Sequence, residues 1–461
     1  MPSAAGRHQL ELLVDEAGLD LVITHWPLPR AAVSSALDAL PSALPIDLDR
    51  ARAQLRRELD ALARASASLT LRNTDDTLAG YGDDATRGSS IGLRSTTFGA
   101  AAYTAQFGAR VDAQAQGTAR GGGTWRFEES AVALEAGGVQ LQGWSHRSWW
   151  GPGWQSSLVL GNNAPALIGL GLQRASASRS DSRWLAWLGP WNFEFFIARG
   201  DGAGQSESPF LVGQRLTLRP FANLEIGLTR TAQWGGSGHD QSARSFLNML
   251  AGIGLNADTA AQKRADPANE LAGYDFRLRC PFGVRCAGYV QLIGEDRAGL
   301  WPSRFLGLYG VEAWSADGGQ RYHAEVAETG CRAPIGRAML TPCAYRNSAY
   351  PDGYASAGRW LGAGVGPDSR LFTLGWLDAA SGTSLRLDVG RIGAGIGAYT
   401  PQTRDAATSG RLVGMSARRE FRWVATTITP TLDWIRIAAP AGTRRELRAG
   451  ATLQVSLGGA D

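Results

Sequence analysis

From Leu71 onward the chain repeats one short pattern. Leu224, Ile226 and Leu228 alternate with Glu225, Gly227 and Thr229; Leu385, Leu387 and Val389 alternate with Arg386, Asp388 and Gly390; Leu453, Val455 and Leu457 stand against Gln454 and Ser456. A period of two sends successive side chains to opposite faces of a strand, so each segment has one apolar and one polar face. A soluble sandwich also alternates, and length separates the two cases. About 390 residues at roughly 20 per strand and connection give on the order of 18 to 20 strands, an ordinary size for a closed outer-membrane barrel. A membrane helix needs an apolar run of ~18 residues or more, and none occurs in a chain that is 19% charged with a mean hydropathy of -0.16. The fold class expected is mainly β: a large transmembrane antiparallel β-barrel.

Residues 1–68 read differently, as a small N-terminal α-helical bundle, with the barrel taking residues 69–461. Leu10, Leu13, Val14 and Ala17 have helical spacing, Pro29 opens a second segment to Leu40, and Asp47 is placed to cap a third with Leu48, Leu55, Leu59 and Leu62 on one stripe. Such a stripe is read as core against a neighbour rather than as a membrane-surface face. No secretory leader is legible, because Glu11, Asp15, Glu16 and Asp20 interrupt the first apolar stretch; an exported barrel of this sequence would be a mature or truncated chain.

Three tryptophans, Trp149, Trp150 and Trp154, surround Gly151-Pro152-Gly153 within the stretch Trp144 to Arg174. That glycine and proline density excludes an ordinary helix or central strand and makes a fixed turn carrying aromatic faces. The stretch resembles the WWGPG-containing signature of the Wzi capsule-assembly family. Further phrases follow in the family's order: Thr24-His25-Trp26-Pro27-Leu28 before it, then Trp187-Leu188-Gly189-Pro190-Trp191, Gln233-Trp234-Gly235-Gly236, Asn269 to Phe276, Gln291 to Asp296, and Tyr350-Pro351-Asp352-Gly353-Tyr354 with Gly358-Arg359 and Leu361-Gly362. The last hundred residues carry alternation alone. The resemblance implies a barrel of about eighteen strands in the bacterial outer membrane, a helical region on the periplasmic side, and a lectin-like role holding capsular polysaccharide or exopolysaccharide at the cell surface. Its partners would be that polymer, outer-membrane lipids and the polysaccharide export machinery. A porin-like channel for small solutes or sugars is the alternative.

A hydroxyl-rich ligand is held by amides, carboxylates and arginines around an aromatic platform. Trp149, Trp150, Trp154, Gln233, Trp234, Asn269, Glu270, Glu295 and Asp296 offer that set. Glu295 and Asp296 are adjacent in a strand and point to opposite faces, so they cannot form a glycosidase pair. His146, His239 and His323 belong to no nucleophile elbow, and Gly393 to Gly397 lacks the strand, helix and downstream acid of a dinucleotide site. The chain is therefore read as a binding protein without enzymatic activity, cofactor or metal. A net charge of +4, almost wholly arginine with Lys263 the only lysine, gives no reason for a nucleic-acid partner. Cys280, Cys286, Cys331 and Cys343 form two close pairs with no CxxC. Two short disulfides over 280–286 and 331–343 in an oxidising compartment fit them best, with a zinc site the weaker alternative.

Tryptophans 184, 187, 191, 314, 360, 376, 423 and 434 flank the alternating segments and are expected mostly in interfacial girdles. Four long polar or glycine-rich stretches, 200–209, 235–269, 331–354 and 390–408, are read as the outward loops where a glycan would be met.

Overall fold

A computed structural model describes residues 1–74, 78–83, 88–100, 102–113, 124–200, 208–252, 268–281, 283–298, 301–333, 343–347, 350, 352–393, 409–440 and 442–457. Strands form one closed antiparallel ring, sealed where Ala65–Arg72 pairs with Gly442–Leu457 from Ala65 opposite Leu457 to Arg72 opposite Gly450. Among the described residues the ring holds 22 strand segments, several of them interrupted halves of one wall strand. Ser90–Arg94 continues as Phe98–Ala100, Tyr103–Gln106 as Gly108–Asp112, Thr124–Arg126 as Ser130–Ala136, and Gly410–Arg418 as Phe421–Arg422. Joined in this way they make an eighteen-strand wall, within the roughly 18 to 20 that chain length implies.

The alternation is inside out relative to a soluble protein. On Leu224–Trp234 the polar residues Glu225, Thr229 and Thr231 are buried while Leu228 is exposed; on Thr383–Ile392 Asp388 is buried while Leu385 and Val389 are exposed. Exposed Leu93, Leu170, Leu374, Met415, Leu432 and Leu447 continue the outer face around the ring. Only lipid rewards an apolar exterior on this scale, and the wall is that of an outer-membrane barrel.

Tight connections gather at one end: 137–138, 222–223, 315–319 and 379–382. The turn at 137–138 uses two glycines at positive φ, the conformation a two-residue hairpin turn demands. Helices α1 (Ala4–Glu16), α2 (Arg30–Asp38) and α3 (Ile46–Ala63) sit at this same end, where Glu16 meets Arg279 at 2.9 Å and Asp47 meets Arg285 at 3.5 Å. Helix α3 buries Leu48, Ala51 and Leu55 as one stripe. Its N-cap is Pro45, and Asp47 lies in the first turn rather than at the cap, where its charge still suits the helix dipole.

Helix α1 is buried all round, because it enters the lumen and meets polar wall residues. Arg277 pairs with Asp15 at 2.6 Å and with Glu312 at 2.7 Å, while Arg321 reaches Glu312 at 2.6 Å and Glu11 at 2.7 Å. His8 accepts at Nδ1 from Arg321 Nε at 2.8 Å and donates from Nε2 to the Gly318 carbonyl at 2.8 Å, which fixes it as the neutral imidazole. Burial, and then the Arg321 charge, press its pKa down to about 3.

A histidine with a depressed folded-state pKa contributes stability above its ordinary value near 6.5 and loses it as pH falls from there toward 3. Acidifying the purified protein from about pH 7 to about pH 4 is expected to loosen the seat of α1, read as faster proteolysis after Arg7. The His8→Asn variant, which cannot charge, is expected to show a shallower pH dependence although Glu11, Glu312, Arg277 and Arg321 still surround the site.

Candidate functional site

The tryptophan-rich turn lies inside the barrel. After strand Val139–His146 the chain does not turn back at the rim; residues 147–166 dip into the lumen before strand Leu167–Arg174 rejoins the wall. There Trp149 and Trp150 pair with Trp26 and His25 as a two-stranded ribbon. Irregular backbone in a lumen needs a partner for every N–H and C=O. The Glu325 carboxylate accepts from the backbone of Trp154 (2.8 Å), Ser156 (2.7 Å) and Gln155 (3.3 Å), and from the Tyr289 hydroxyl at 3.0 Å. Gln291 donates to the Trp150 carbonyl at 2.9 Å and accepts from Leu158 N at 2.8 Å. Arg7 donates to the carbonyls of Pro152 and Gly153, both at 2.7 Å, and stacks 4.1 Å over the Trp154 ring.

Two glycines are dictated by this packing. Gly151 has φ +132°, and a Cβ there would sit 2.6 Å from the Gln291 side chain; a Cβ on Gly153 would sit 2.1 Å from the Ser156 carbonyl. The incoming segment Ile23–Thr24 is held likewise, with both its N–H groups and the Thr24 hydroxyl donating to Glu225. Buried His25 pairs with Glu194 at 2.6 Å, and Arg215 bridges Asp275 (2.7 Å) and the Thr24 carbonyl (2.9 Å).

A second inserted segment, within residues 343–369, zips onto the first. The Tyr345 hydroxyl donates to the Leu158 carbonyl (2.9 Å) and accepts from Ala363 N (3.0 Å), while Gly161 N donates to the Leu361 carbonyl at 2.8 Å. Together with α1, residues 17–26 and the Leu78–Asp83 segment, these insertions fill the central lumen.

Trp149 and Trp150 are fully buried and Trp154 is 5% exposed. The faces of Trp154 are covered by Arg7, Arg321 and a stacked His323, and its Nε1 donates to Glu312 at 2.7 Å. Gln233 and Asn269 do come together, away from the tryptophans and at the end of the barrel opposite the helices. Asn269 Nδ2 donates to Gln233 Oε1 (2.9 Å), Gln233 Nε2 to the Gly353 carbonyl (3.0 Å), and Asn347 Nδ2 to Asn269 Oδ1 (3.1 Å). Beside this relay His239 stacks on Tyr350 with ring centroids 4.4 Å apart. From the sequence His239 is dismissed for catalysis and reads as a solvated turn, and Asn347 is not singled out, since a lone loop histidine or asparagine carries no pattern.

Trp234 and Glu270 face the other way. Trp234 is buried on the outer wall under the short helix α4 (Ala243–Ala251), its Nε1 donating to Ser245 at 3.2 Å, and Glu270 ion-pairs with Arg230. Glu295 lies two positions beyond the inward, fully buried Ile293 and close enough to Tyr345 and Tyr354 to act on them electrostatically. Asp296 pairs through its backbone with Arg304, and its side chain lies outside the described residues. Cys280–Cys286 and Cys331–Cys343 are bonded as two short disulfides. Of the flanking tryptophans, Trp184 and Trp187 are exposed as girdle residues are and Trp423 is exposed where it lines the lumen mouth; Trp314 and Trp360 are buried instead, packed against the helices and the inserted segments. The stretches 200–209 and 390–408, with Gly393 to Gly397, fall almost wholly outside the described residues, as do Lys263 and most of 235–269 beyond α4.

Comparison with known proteins adds three findings. The family described as Capsule assembly protein Wzi matches residues 69–406. A Klebsiella pneumoniae protein described as an uncharacterized 55.8 kDa protein in the cps region is 29% identical over 325 residues, which cover 68% of this chain and 61% of that relative, about three fifths of its length. The solved structure of Escherichia coli Wzi is described as an outer membrane protein involved in group 1 capsule assembly and a carbohydrate-binding β-barrel. It superposes with a TM-score of 0.83 at 21% identity, covering 99% of this chain and 98% of that one.

Removing the Trp154 side chain empties a packed site and strips Glu312 of a donor. Trp154→Ala is expected to cost about 3–5 kcal/mol, seen as a lower temperature for heat modification on a gel. Trp187→Ala, on a residue 67% exposed, is expected to change stability by less than about 0.5 kcal/mol.

Proposed function

The chain belongs to the Wzi capsule assembly family, and from that premise we propose that it is a polysaccharide-binding protein that attaches exported capsular polysaccharide or exopolysaccharide to the outer surface of the outer membrane. The observation that carries this reading over a channel is the plugged centre of the lumen. A wall of this strand number encloses an aqueous passage when empty, and here ordered backbone hydrogen-bonded to wall carboxylates occupies its centre. The inserted segments bury glutamates and arginines against one another, which suits a stopper that stays in place rather than a catalytic group awaiting substrate.

Short turns mark the periplasmic end of such barrels, so the helical bundle is assigned to the periplasm and the opposite rim to the cell surface. At that rim His239 on Tyr350 and Asn347 at the end of the Gln233–Asn269 amide relay offer an aromatic face beside hydrogen-bonding groups, the chemistry a sugar chain needs. Gln233 and Asn269 act by positioning Asn347. Single sugar contacts are weak, and a long polymer meeting many copies gains avidity of ~10²–10⁴. Outer-membrane lipids cover the apolar belt, and the polysaccharide export machinery is the natural neighbour at the surface. The role is binding and assembly, without chemistry on the polymer.

Cells lacking this protein are expected to make the polymer and release it into the medium, and the His239→Ala, Asn347→Ala double variant is expected to do the same while its barrel remains heat-modifiable. The purified wild-type protein is expected to give no steady large conductance in planar bilayers. Unchanged attachment in the deletion strain, or steady porin-like conductance, would turn the reading toward the channel.

A further inference from the structure

The plug does not fill the whole lumen. Between it and one side of the wall runs a cavity of about 1020 Å³, at the upper end of the ~300–1,000 Å³ typical of ligand sites. It begins at the helical end, beside Met1, Glu58 of α3 and the turn residue Trp423, and rises along the inner faces of strands Ser90–Arg94, Ala65–Arg72, Gly442–Leu457 and Thr426–Ala439.

The register sorts these inner faces into rungs. Ser90 pairs with Thr70, Thr70 with Thr452 and Thr452 with Thr429, which places four hydroxyls across four strands; Ser68, Gln454 and Thr427 make the next rung, and Ser66 with Ser456 the last. The rungs are two residues apart, about 7 Å. Within the first, Thr70 and Thr452 are 3.1 Å apart, whereas the Ser456 hydroxyl is buried with no protein partner among the described residues.

Four ion pairs neutralise charges lining the same cavity, Arg94 with Glu129 at 2.9 Å, Arg147 with Glu128 at 3.1 Å, Arg386 with Asp83 at 3.0 Å and Arg422 with Glu420 at 2.5 Å, and at its helical end Arg57 and Arg64 line it together with Glu58 and Asp60. What faces the open space is a ladder of hydroxyls with no single sign of charge, and at its mouth stands Trp423, 59% exposed. An indole at the entrance and neutral donors and acceptors along the rungs are what an uncharged, hydroxyl-rich chain requires; a small anion would require arginines clustered without carboxylates beside them, and an apolar ligand an apolar lining.

We propose that this cleft is a second saccharide site, which takes an uncharged segment of a sugar chain from the helical, periplasmic end and holds it along the hydroxyl rungs beside the plug. The inference rests on the reading of the protein as a polysaccharide binder but concerns a different place from the surface rim. It would let one protein touch the polymer on both sides of the membrane without an open pore.

The test uses the full chain in detergent. Its native cysteines are disulfide-bonded, so Ser68→Cys supplies a single reactive thiol inside the cleft and Thr443→Cys one exposed at the far end of the barrel. A small thiol reagent is expected to modify both. Saturating maltoheptaose, or neutral fragments of the cell's own polymer, is expected to slow modification at Ser68→Cys about fivefold, as mass action gives when some four fifths of sites are occupied, and to leave Thr443→Cys unchanged. Trp423→Ala, at an exposed position that threatens no fold, is expected to raise the saccharide concentration needed for protection about tenfold. A thiol at Ser68 that never reacts, or reacts equally fast with and without both saccharides, overturns the proposal. Because polymer attachment to cells is a separate measurement, loss of protection with attachment intact removes this cleft alone, and loss of attachment removes the parent reading.

Discussion

The structure depends on satisfying irregular backbone inside a barrel. Residues 147–166 leave the wall and give up the ladder that pairs every strand, so their N–H and C=O groups must find partners where packed side chains, rather than water, surround most of them. Glu225, Glu325 and Gln291 supply them from inward positions of the wall, and Arg7 supplies the carbonyl side from α1. Each of these groups would be costly to bury alone. The inserted segments and the polar interior therefore make each other possible.

The same logic accounts for the helix at the entrance. Helix α1 carries Arg7, His8, Glu11 and Asp15 on faces that would be solvated in an ordinary bundle, and all four are buried. They match Gly318, Arg321, Arg277 and the Pro152–Gly153 carbonyls in position and sign, so the helix docks in one register. A buried ion network of this kind adds little to net stability compared with an apolar core, and breaking one partner is costly. Its product is a unique seat for the plug.

Function follows from what the plug leaves available. The centre is closed, the amide relay and the His239–Tyr350 stack stand at one rim, and a hydroxyl-lined cleft opens at the other. A molecule arranged in this way holds a polymer more readily than it passes one. The apolar belt fixes the wall in lipid, which keeps both sets of groups at fixed depth.

The barrel was legible because a lipid-facing wall imposes a period of two over hundreds of residues, and no soluble helix or membrane helix shares that period. A wall of on the order of 18 to 20 strands followed from length, the figure of about eighteen from the family resemblance, and the two cysteine pairs from their spacing. Trp149, Trp150 and Trp154 were legible as a rigid aromatic turn, yet their place in the interior was not: a tryptophan beside glycine and proline looks the same at a membrane interface, on a sugar platform or in a core. Gln233 and Asn269 were legible as polar residues near strand ends; cross-strand register joined them to each other and the inserted segment brought Asn347 to them, while Trp234 and Glu270, one residue along, were turned to the opposite face. Local pattern and chain length thus determined the wall, because those signals repeat along the sequence. The plug, the relay and the cleft were decided by tertiary structure, because they arise from residues up to hundreds of positions apart whose meeting is set by strand register and by the pairing of buried charge.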